Sequence, residues 1–311
     1  MKKKILITGV SGYIGSHLAI YLKNNGYEVD GLDRNKNQLN IDFKYQIDLE
    51  RGYKIIHKKK YDCIVHLASY TLPRESFNDI NKYIFGNLKM TLNLLNIFPD
   101  FSKFIFFSTA NLYCPSVNIS EDSKIETQSP YAESKLIIER YLKQISALSK
   151  SKFAIFRLFN AAGGDVNNLF KYKIKPTNNL LIPALMKSYL NKKQFKINGI
   201  DYDTHDGTCV RDFIHVFDIA RAVISFVESK KINNYNLFNL GSSKGYSVRE
   251  IVNKFIEVVE GKIKIIETGK QKGDPSIIVC NSKKIRNTLN WKPIYSNVDI
   301  IIKSSVNNFY L

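Results

Sequence analysis

The fold of this chain is decided by the stretch Lys4-Ile5-Leu6-Ile7-Thr8-Gly9-Val10-Ser11-Gly12-Tyr13-Ile14-Gly15. Lys4–Thr8 is a short apolar run of strand length, and Ile14–Lys23 behind it has the length and period of a helix. Gly9, Gly12 and Gly15 stand three residues apart between and into them. Gly9 permits a tight turn, Gly12 lets the backbone approach a pyrophosphate, and Gly15 allows close packing of helix on strand. A helix opening at such a loop offers N–H groups and the positive end of its dipole to phosphates. Glycine punctuates many turns, so the loop gains its weight from standing between strand and helix.

Working outward, short apolar runs alternate with helical segments. Glu28–Leu32, Asp62–Leu67, Lys103–Ser108 and Ala154–Leu158 read as strands, and Ile80–Phe98 and Tyr131–Leu148 as helices. Buried strands alternating with helices predict an α/β chain built on a Rossmann-type, doubly wound parallel sheet. After Asn160 the pattern becomes irregular, with loop signals at Gly163–Gly164, Pro176 and Asn178–Asn179. Phe213–Val227 reads as a strand end and a helix returning to the core, and 242–311 as a smaller C-terminal mixed α/β substrate lobe. The expected division is a dinucleotide-binding domain over 1–160, with 209–240 returning to it. The substrate lobe then takes 161–208 and 241–311.

Composition narrows the functional classes. The 311 residues contain no run near the roughly 18 apolar residues of a membrane span. Lys2–Lys4 precede an apolar run that stops at Gly9, shorter than the about 7–15 residues of a signal core, so a cytoplasmic protein is expected. Cys63, Cys114, Cys209 and Cys280 are scattered without CxxC spacing, so neither a metal site nor a disulfide framework is predicted. The formal charge of +18 comes from lysines spread along the whole chain, with no arginine-rich helix or aromatic–basic alternation. Neither nucleic acid nor membrane is expected as a partner; an anionic substrate suits the positive field.

Two further features carry chemistry. Asp33 ends the second predicted strand, where a carboxylate accepts hydrogen bonds from an adenine-ribose diol and repels a 2′-phosphate. That favours NAD over NADP, although the neighbouring Arg34 keeps some NADP use open. Tyr131-Ala132-Glu133-Ser134-Lys135 follows Pro130 at a helix start, and a spacing of four puts Tyr131 and Lys135 on one face. A free tyrosine has a pKa of about 10, and lowering it to about 7 takes roughly 4 kcal/mol of phenolate stabilisation. A lysine ammonium and a positive nicotinamide ring are groups able to supply it.

Segments across nearly the whole chain resemble the UDP-galactose (UDP-glucose) 4-epimerases of the extended short-chain dehydrogenase/reductase superfamily. They include Thr8–His17, Val65–Ala68, Ser108–Tyr113, Pro130–Lys135, Phe159-Asn160, Asn178–Pro183, Asn239–Val248, Gly273–Pro275 and Trp291. The most specific is the polar run Asp201–Val216, DYDTHDGTCVRDFIHV. The resemblance implies a UDP-hexose 4-epimerase working through a transient 4-keto sugar, with bound NAD and a homodimeric state. It makes Thr109 the hydroxyl between sugar and base, Tyr131 the base, and Lys135 the ribose ligand and phenolate stabiliser. It assigns Gly9, Gly12, Tyr13, Ile14, Gly15, Asp33, Asp48, Leu49, Leu67, Ala68 and Asn87 to the cofactor. Asn160, Asn179, Leu180, Arg211, Asp274 and Ile278 fall to the UDP-sugar, and a guanidinium at 211 suits a pyrophosphate.

Departures from the family pattern bear on the substrate. Lys270-Gln271-Lys272 stand where an arginine usually precedes Gly-Asp, Thr71 replaces a lysine, and Cys114 replaces a glycine. Ile278 occupies the position of a tyrosine associated with exclusion of N-acetyl groups, so N-acetylhexosamine nucleotides are expected substrates as well. It also reads plainly as a strand residue of Ser276–Val279. A 4,6-dehydratase or decarboxylase is the nearest alternative, but dehydratases carry Asp-Glu after the catalytic hydroxyl, where this chain has Ala110 and Asn111. A non-catalytic NAD-sensing or RNA-binding protein is a further alternative, against which the chain retains Tyr131, Lys135 and Arg211. Leu136, Ile137, Ile138, Tyr141, Leu142, Ile145 and Leu148 give the second helix more apolar coverage than one core face needs, which points to a dimer interface.

Overall fold

The structure, a computed structural model, describes residues 2–35, 43–52, 56–174, 180–270 and 274–311. The first five strands are β1 (Lys4–Thr8), β2 (Glu28–Asp33), β3 (Phe43–Gln46), β4 (Tyr61–His66) and β5 (Phe101–Thr109). Helices α1 (Tyr13–Asn24), α2 (Asn87–Ile97) and α3 (Pro130–Leu148) lie among and after them. Strands β6 (Ser116–Ile119), β7 (Lys152–Leu158), β8 (Asn160–Ala162) and β9 (Tyr172–Lys173) follow, then α4 (Leu181–Leu190), β10 (Phe195–Asn198) and β11 (Val210–His215). Next come α5 (Val216–Glu228), β12 (Tyr235–Leu240), β13 (Gly245–Ser247), α6 (Val248–Val259) and β14 (Ile265–Thr268). The chain closes with β15 (Ile277–Cys280), α7 (Lys283–Leu289), α8 (Val298–Asn308) and β16 (Phe309–Tyr310).

The large sheet runs β12-β7-β5-β4-β1-β2-β3, and every pairing in it is parallel. Parallel strands need crossovers, and the crossovers bury both faces, which is why the strands read as near-continuous apolar runs. Alternate residues part to opposite faces: Ile5 and Ile7 join Phe226 and Val223 of α5, while Leu6 joins Leu94 of α2 and Leu142 of α3. The strand order reverses between β1 and β4, so a crevice opens at their C-terminal ends, where doubly wound sheets bind ligands.

A second sheet, β13-β11-β15-β6, carries β8 on β11 beyond this path. Around it α4, α6 and α8 bury Leu185, Met186, Phe255, Ile301 and Ile302 in a separate apolar cluster. Residues 209–240 contribute strands to both sheets. Helix α5 and β12 join the large sheet, whereas β11 pairs with β13 and β15 at its start and with β8 over Phe213–His215, which holds that strand in the second sheet. In the other direction β6 leaves the first 160 residues to pair with β15, and Trp291 with Ile285 and Leu289 of α7 packs onto the α5 face. The expected helix Ile80–Phe98 opens with a π turn, Lys82–Gly86, before α2 begins. A π turn is a local insertion, common near functional sites; here it leaves Gly86 where an added Cβ would lie 3.0 Å from the Tyr70 ring.

No helix among the described residues is long and apolar enough to cross a membrane. Trp291 is the largest fully buried side chain, and its indole N–H donates to the Asp218 carbonyl at 3.0 Å. Trp291→Ala is expected to cost about 3–5 kcal/mol, read as a lowered urea midpoint; an unchanged midpoint contradicts this account of the core.

Candidate active site

The glycine loop takes the shape its spacing demands. Gly9 sits at φ +70°, and a Cβ on it would lie 2.9 Å from the Ala68 amide nitrogen. A Cβ on Gly15 would lie 2.2 Å from the Gly9 carbonyl oxygen, so this glycine admits the turn itself rather than the strand. Gly12 is the N-cap of α1 in extended conformation, and nothing but the Gly9 oxygen, at 3.1 Å, would meet a side chain there. Tyr13 and Ile14 form the first turn of α1, whose N–H groups have no partner within the helix. The Tyr13 side chain turns away from the loop: its hydroxyl donates to the Gly163 carbonyl, and its ring packs on Tyr172 and Phe309.

Thr8 joins the loop to the far side of the crevice. Its hydroxyl accepts from the amides of Leu67 and Ala68 at 3.2 and 3.1 Å and contacts His66 Nδ1 at 2.8 Å. Asp33 accepts from the amides of Ser11 and Asn35, which puts a carboxylate beside the glycine loop at the end of β2. Asp48 caps its own turn through the Glu50 amide, and Leu49 is buried with its carbonyl accepting from Asn93. Asn87 is buried; its amide oxygen accepts from the Tyr70 N–H, and its NH2 donates to Ser134 Oγ and the Tyr70 carbonyl. Its side chain thereby ties the loop after β4 to α3.

Helix α3 begins where its sequence says it should. The Ser129 hydroxyl accepts from the Ala132 amide, and Pro130 occupies the first turn. Tyr131 and Lys135 are both buried on the face toward β5. Lys135 Nζ donates to the Phe107 carbonyl at 3.0 Å and lies 5.9 Å from the Tyr131 ring centroid. Thr109 ends β5, and its hydroxyl accepts from the Asn111 amide at 3.2 Å. Burial pushes the Tyr131 phenol up to about 12; hydrogen bonding with the Thr109 hydroxyl opposes this, and Tyr83 adds to it. Burial also pushes Lys135 down to about 7, against the pull of Glu139. The expected lowering of the phenol rests on a lysine ammonium and a positive nicotinamide ring together; among the side chains by themselves desolvation is the largest influence, and it raises the phenol.

The second sheet supplies the other wall. Arg211 on β11 donates to the carbonyls of Val210 and Ser276 and stands in register with Ile278 of β15. Ile278 is buried with Ala110, Tyr113, Phe159 and Cys280, which links this wall to the residue after Thr109. It is thus a strand residue that also shares an apolar cluster with Ala110, the residue after β5. Asn160 pairs with Phe213, and Leu180 caps α4 with its side chain half exposed. Asn179, like Gln271, Lys272 and Gly273, lies outside the described residues. Asp274 pairs with Arg74 at 2.7 Å across the two walls. Arg74 escaped the sequence reading because a single arginine in an aperiodic loop carries no pattern. Tyr83 escaped because its edge contact with Tyr131, 6.5 Å between centroids, depends on the π turn.

The arrangement fits a dinucleotide: a loop closed to side chains at Gly9 and Gly15 and tight at Gly12, a helix N-terminus, and a carboxylate beside the loop at Asp33. Among the described residues, no cluster of three or more His, Cys, Asp or Glu is placed to hold a metal ion.

Comparison with known proteins agrees with this geometry. The NAD dependent epimerase/dehydratase family matches residues 5–241. The chain is 33% identical to the UDP-glucose 4-epimerase of Lactobacillus helveticus over 97% of its own length and 96% of that protein. Its structure is similar to the UDP-glucose 4-epimerase from Bifidobacterium longum in complex with NAD+ and UDP. The TM-score is 0.85 at 27% identity, covering 98% of this chain and 97% of that one. It is also similar to the UDP-Glc/GlcNAc 4-epimerase from Campylobacter jejuni, with a TM-score of 0.77 and 34% identity over 97% of this chain and 98% of the other. With a dinucleotide loop, a buried Tyr–Lys pair on α3 against β5 and this likeness over nearly its whole length, the chain belongs to the NAD dependent epimerase/dehydratase family.

Proposed function

We propose that the chain is an NAD-dependent UDP-hexose 4-epimerase. The observation that carries this reading is the meeting of Thr109, Tyr131 and Lys135 at the end of β5, between the glycine loop and the wall bearing Arg211 and Ile278. The cofactor is assigned to 1–160 with α5 and β12, held by the Gly9–Gly15 turn, Asp33 and the segment through Leu67 and Ala68. Asp48, Leu49 and Asn87 shape its adenine and nicotinamide ends, and Asn160, Leu180, Arg211 and Asp274 face the UDP-sugar. NAD, when bound, supplies the hydride acceptor and then the hydride donor for the sugar C4.

The residues of the chain then do the acid–base work. Tyr131 takes the 4-OH proton, with Thr109 hydrogen-bonded to it, and returns a proton after the 4-keto sugar has turned its other face. The ammonium of Lys135 favours the phenolate, and Arg211 holds pyrophosphate oxygens. Oxidation and reduction cancel, so no second redox substrate is needed. Ala110 and Asn111 after Thr109 carry no side chain suited to the extra proton transfers of a 4,6-dehydratase. A cytoplasmic location goes with this reading.

Tyr131→Phe is expected to lower kcat by about 10²–10⁴-fold while acid release still yields bound NAD and little NADP. Lys135→Ala is expected to lose turnover and NAD retention together. Substantial turnover by Tyr131→Phe, or a protein that prefers NADP, contradicts the assignment.

The substrate range extends to the N-acetylhexosamine pair in this reading. Likeness to the Campylobacter UDP-Glc/GlcNAc epimerase supports it, as does Ile278, an apolar side chain in register with Arg211. An apolar wall suits the acetyl methyl by about 0.8 kcal/mol. The measurement is kcat/KM for UDP-N-acetylglucosamine against UDP-glucose, and Ile278→Tyr is expected to lower that ratio about tenfold. A parent that ignores the acetylated sugar, or an unchanged ratio in the variant, removes Ile278 as the gate.

A homodimer through α2 and α3 completes the proposal. Ile137 and Tyr141 are only partly buried and Leu148 is almost fully exposed, and their i, i+4, i+11 spacing makes one stripe along α3. Light scattering at micromolar concentration is expected to give twice the chain mass, and Tyr141→Glu with Leu148→Glu to halve it. A monomeric parent overturns this.

A further inference from the structure

A string of alternating charge is buried behind the catalytic pair. Lys135, Glu139, Arg157 and Glu121 are all buried, and they lie on α3, on β7 and after β6. Glu139 Oε1 accepts from the Ser108 hydroxyl at 2.5 Å and from Arg157 Nε at 3.0 Å, while its Oε2 accepts from Arg157 Nη2 at 2.7 Å. Arg157 Nη1 also donates to the Tyr113 hydroxyl at 2.7 Å and to the Glu121 carbonyl at 3.4 Å. Tyr113 donates to Asn239, whose amide donates to the Glu121 carboxylate at 2.7 Å.

Stability alone does not explain the pair, since apolar residues of like size commonly serve a buried site as well as an ion pair does. Its position is informative. Residues 131, 135 and 139 lie one turn apart on one face of α3. They engage three neighbouring residues of β5: Tyr131 engages Thr109, Lys135 the Phe107 carbonyl, and Glu139 the Ser108 hydroxyl. Among the described residues the Lys135 ammonium meets uncharged groups, the Phe107 carbonyl, the Phe106 ring at 4.7 Å and the Tyr131 ring at 5.9 Å, and the acid that acts on it through space is Glu139, one turn along α3.

We propose that Glu139 is a positioning residue of this site: anchored by Arg157 and Ser108, its carboxylate keeps the Lys135 ammonium charged and in line with Tyr131. The other groups facing Lys135 do not replace it. Tyr131 on the same helix and Tyr83 behind it are phenols, and His66 on β4 is held neutral by burial, its pKa pushed down to about 3. Arg157 on β7 is itself a cation, and Glu121 is separated from Lys135 by Arg157. The effect has a definite sign. Loss of the carboxylate removes support for the charged lysine, so Lys135 titrates at lower pH and its help to the phenolate is lost sooner as pH rises.

This inference rests on the proposed function for its catalytic meaning, and its test has a readout independent of turnover. In protein carrying 15N-lysine, the Lys135 Nζ shift is followed against pH, with the resonance assigned by its absence in Lys135→Met. Glu139→Gln, which keeps size and can still accept from Ser108 and Arg157, is expected to lower the midpoint by about one pH unit. The alkaline limb of kcat is expected to move with it, and Glu139→Asp to return most of the shift. Should the unpaired Arg157 prevent folding, Glu139→Gln combined with Arg157→Met restores a neutral core, and its Lys135 midpoint must still lie below the parent's. A shifted midpoint in a protein that turns over no UDP-hexose supports the Glu139–Lys135 coupling and removes the epimerase reading. Midpoints and limbs unchanged in every variant that folds, with only Tm altered, overturn the proposal.

Discussion

The burial of a lysine ammonium and a phenol side by side is the constraint to which the rest of the structure answers. Removing charge from water is costly, and the cost is visible in opposite directions at the two residues: the Lys135 ammonium is made easier to lose and the Tyr131 phenol harder to ionise. Neither shift is useful to a base by itself. Each surrounding element either limits the cost or leaves room for a charge still to come. The Phe107 carbonyl and Glu139 serve the ammonium, and Thr109 serves the phenol. The glycine loop at the neighbouring crevice is shaped for a group whose positive ring would add what the side chains lack.

That arrangement explains why the large sheet is organised as it is. The crevice at the reversal of strand order lies between β1 and β4, and β5, which ends at Thr109, is the next strand over. Thr8 locks the two crevice strands together through Leu67 and Ala68, and Asn87 locks the loop beyond them to α3 through Ser134. The π turn before α2 belongs to the same frame, since it brings Tyr83 edge-on to Tyr131.

The second sheet is joined to this frame by shared strands and buried polar contacts rather than by a linker. Strand β6 comes from the first half of the chain and pairs with β15, while α7 and Trp291 come from the last quarter and pack on the large sheet. Asp212, next to Arg211, accepts from the amides of Ser242, Ser243 and Cys280, and so fixes β11 to β15 and to the turn after β12. Ile278 of β15 and Ala110, the residue after β5, belong to one apolar cluster, which joins the wall bearing Arg211 to the end of β5. Interlocking of this kind lets residues far apart in the chain hold a fixed geometry.

The amino-acid sequence by itself determined the glycine loop, the alternation of buried strands and helices, Asp33 at the end of β2 and the Tyr131–Lys135 spacing. All of these are local: a turn that excludes side chains, a period of two or 3.6 residues, and a helix start at Pro130 are written within a few residues of where they act. Tertiary structure alone decided that β11 belongs to the second sheet, that Arg74 reaches Asp274, and that Glu139 meets Arg157 behind Lys135. It alone decided the balance at Tyr131, where desolvation outweighs the hydrogen bond with Thr109. Partners in these cases come from distant parts of the chain, and burial is a property of everything packed around a group, so no spacing along the sequence encodes them.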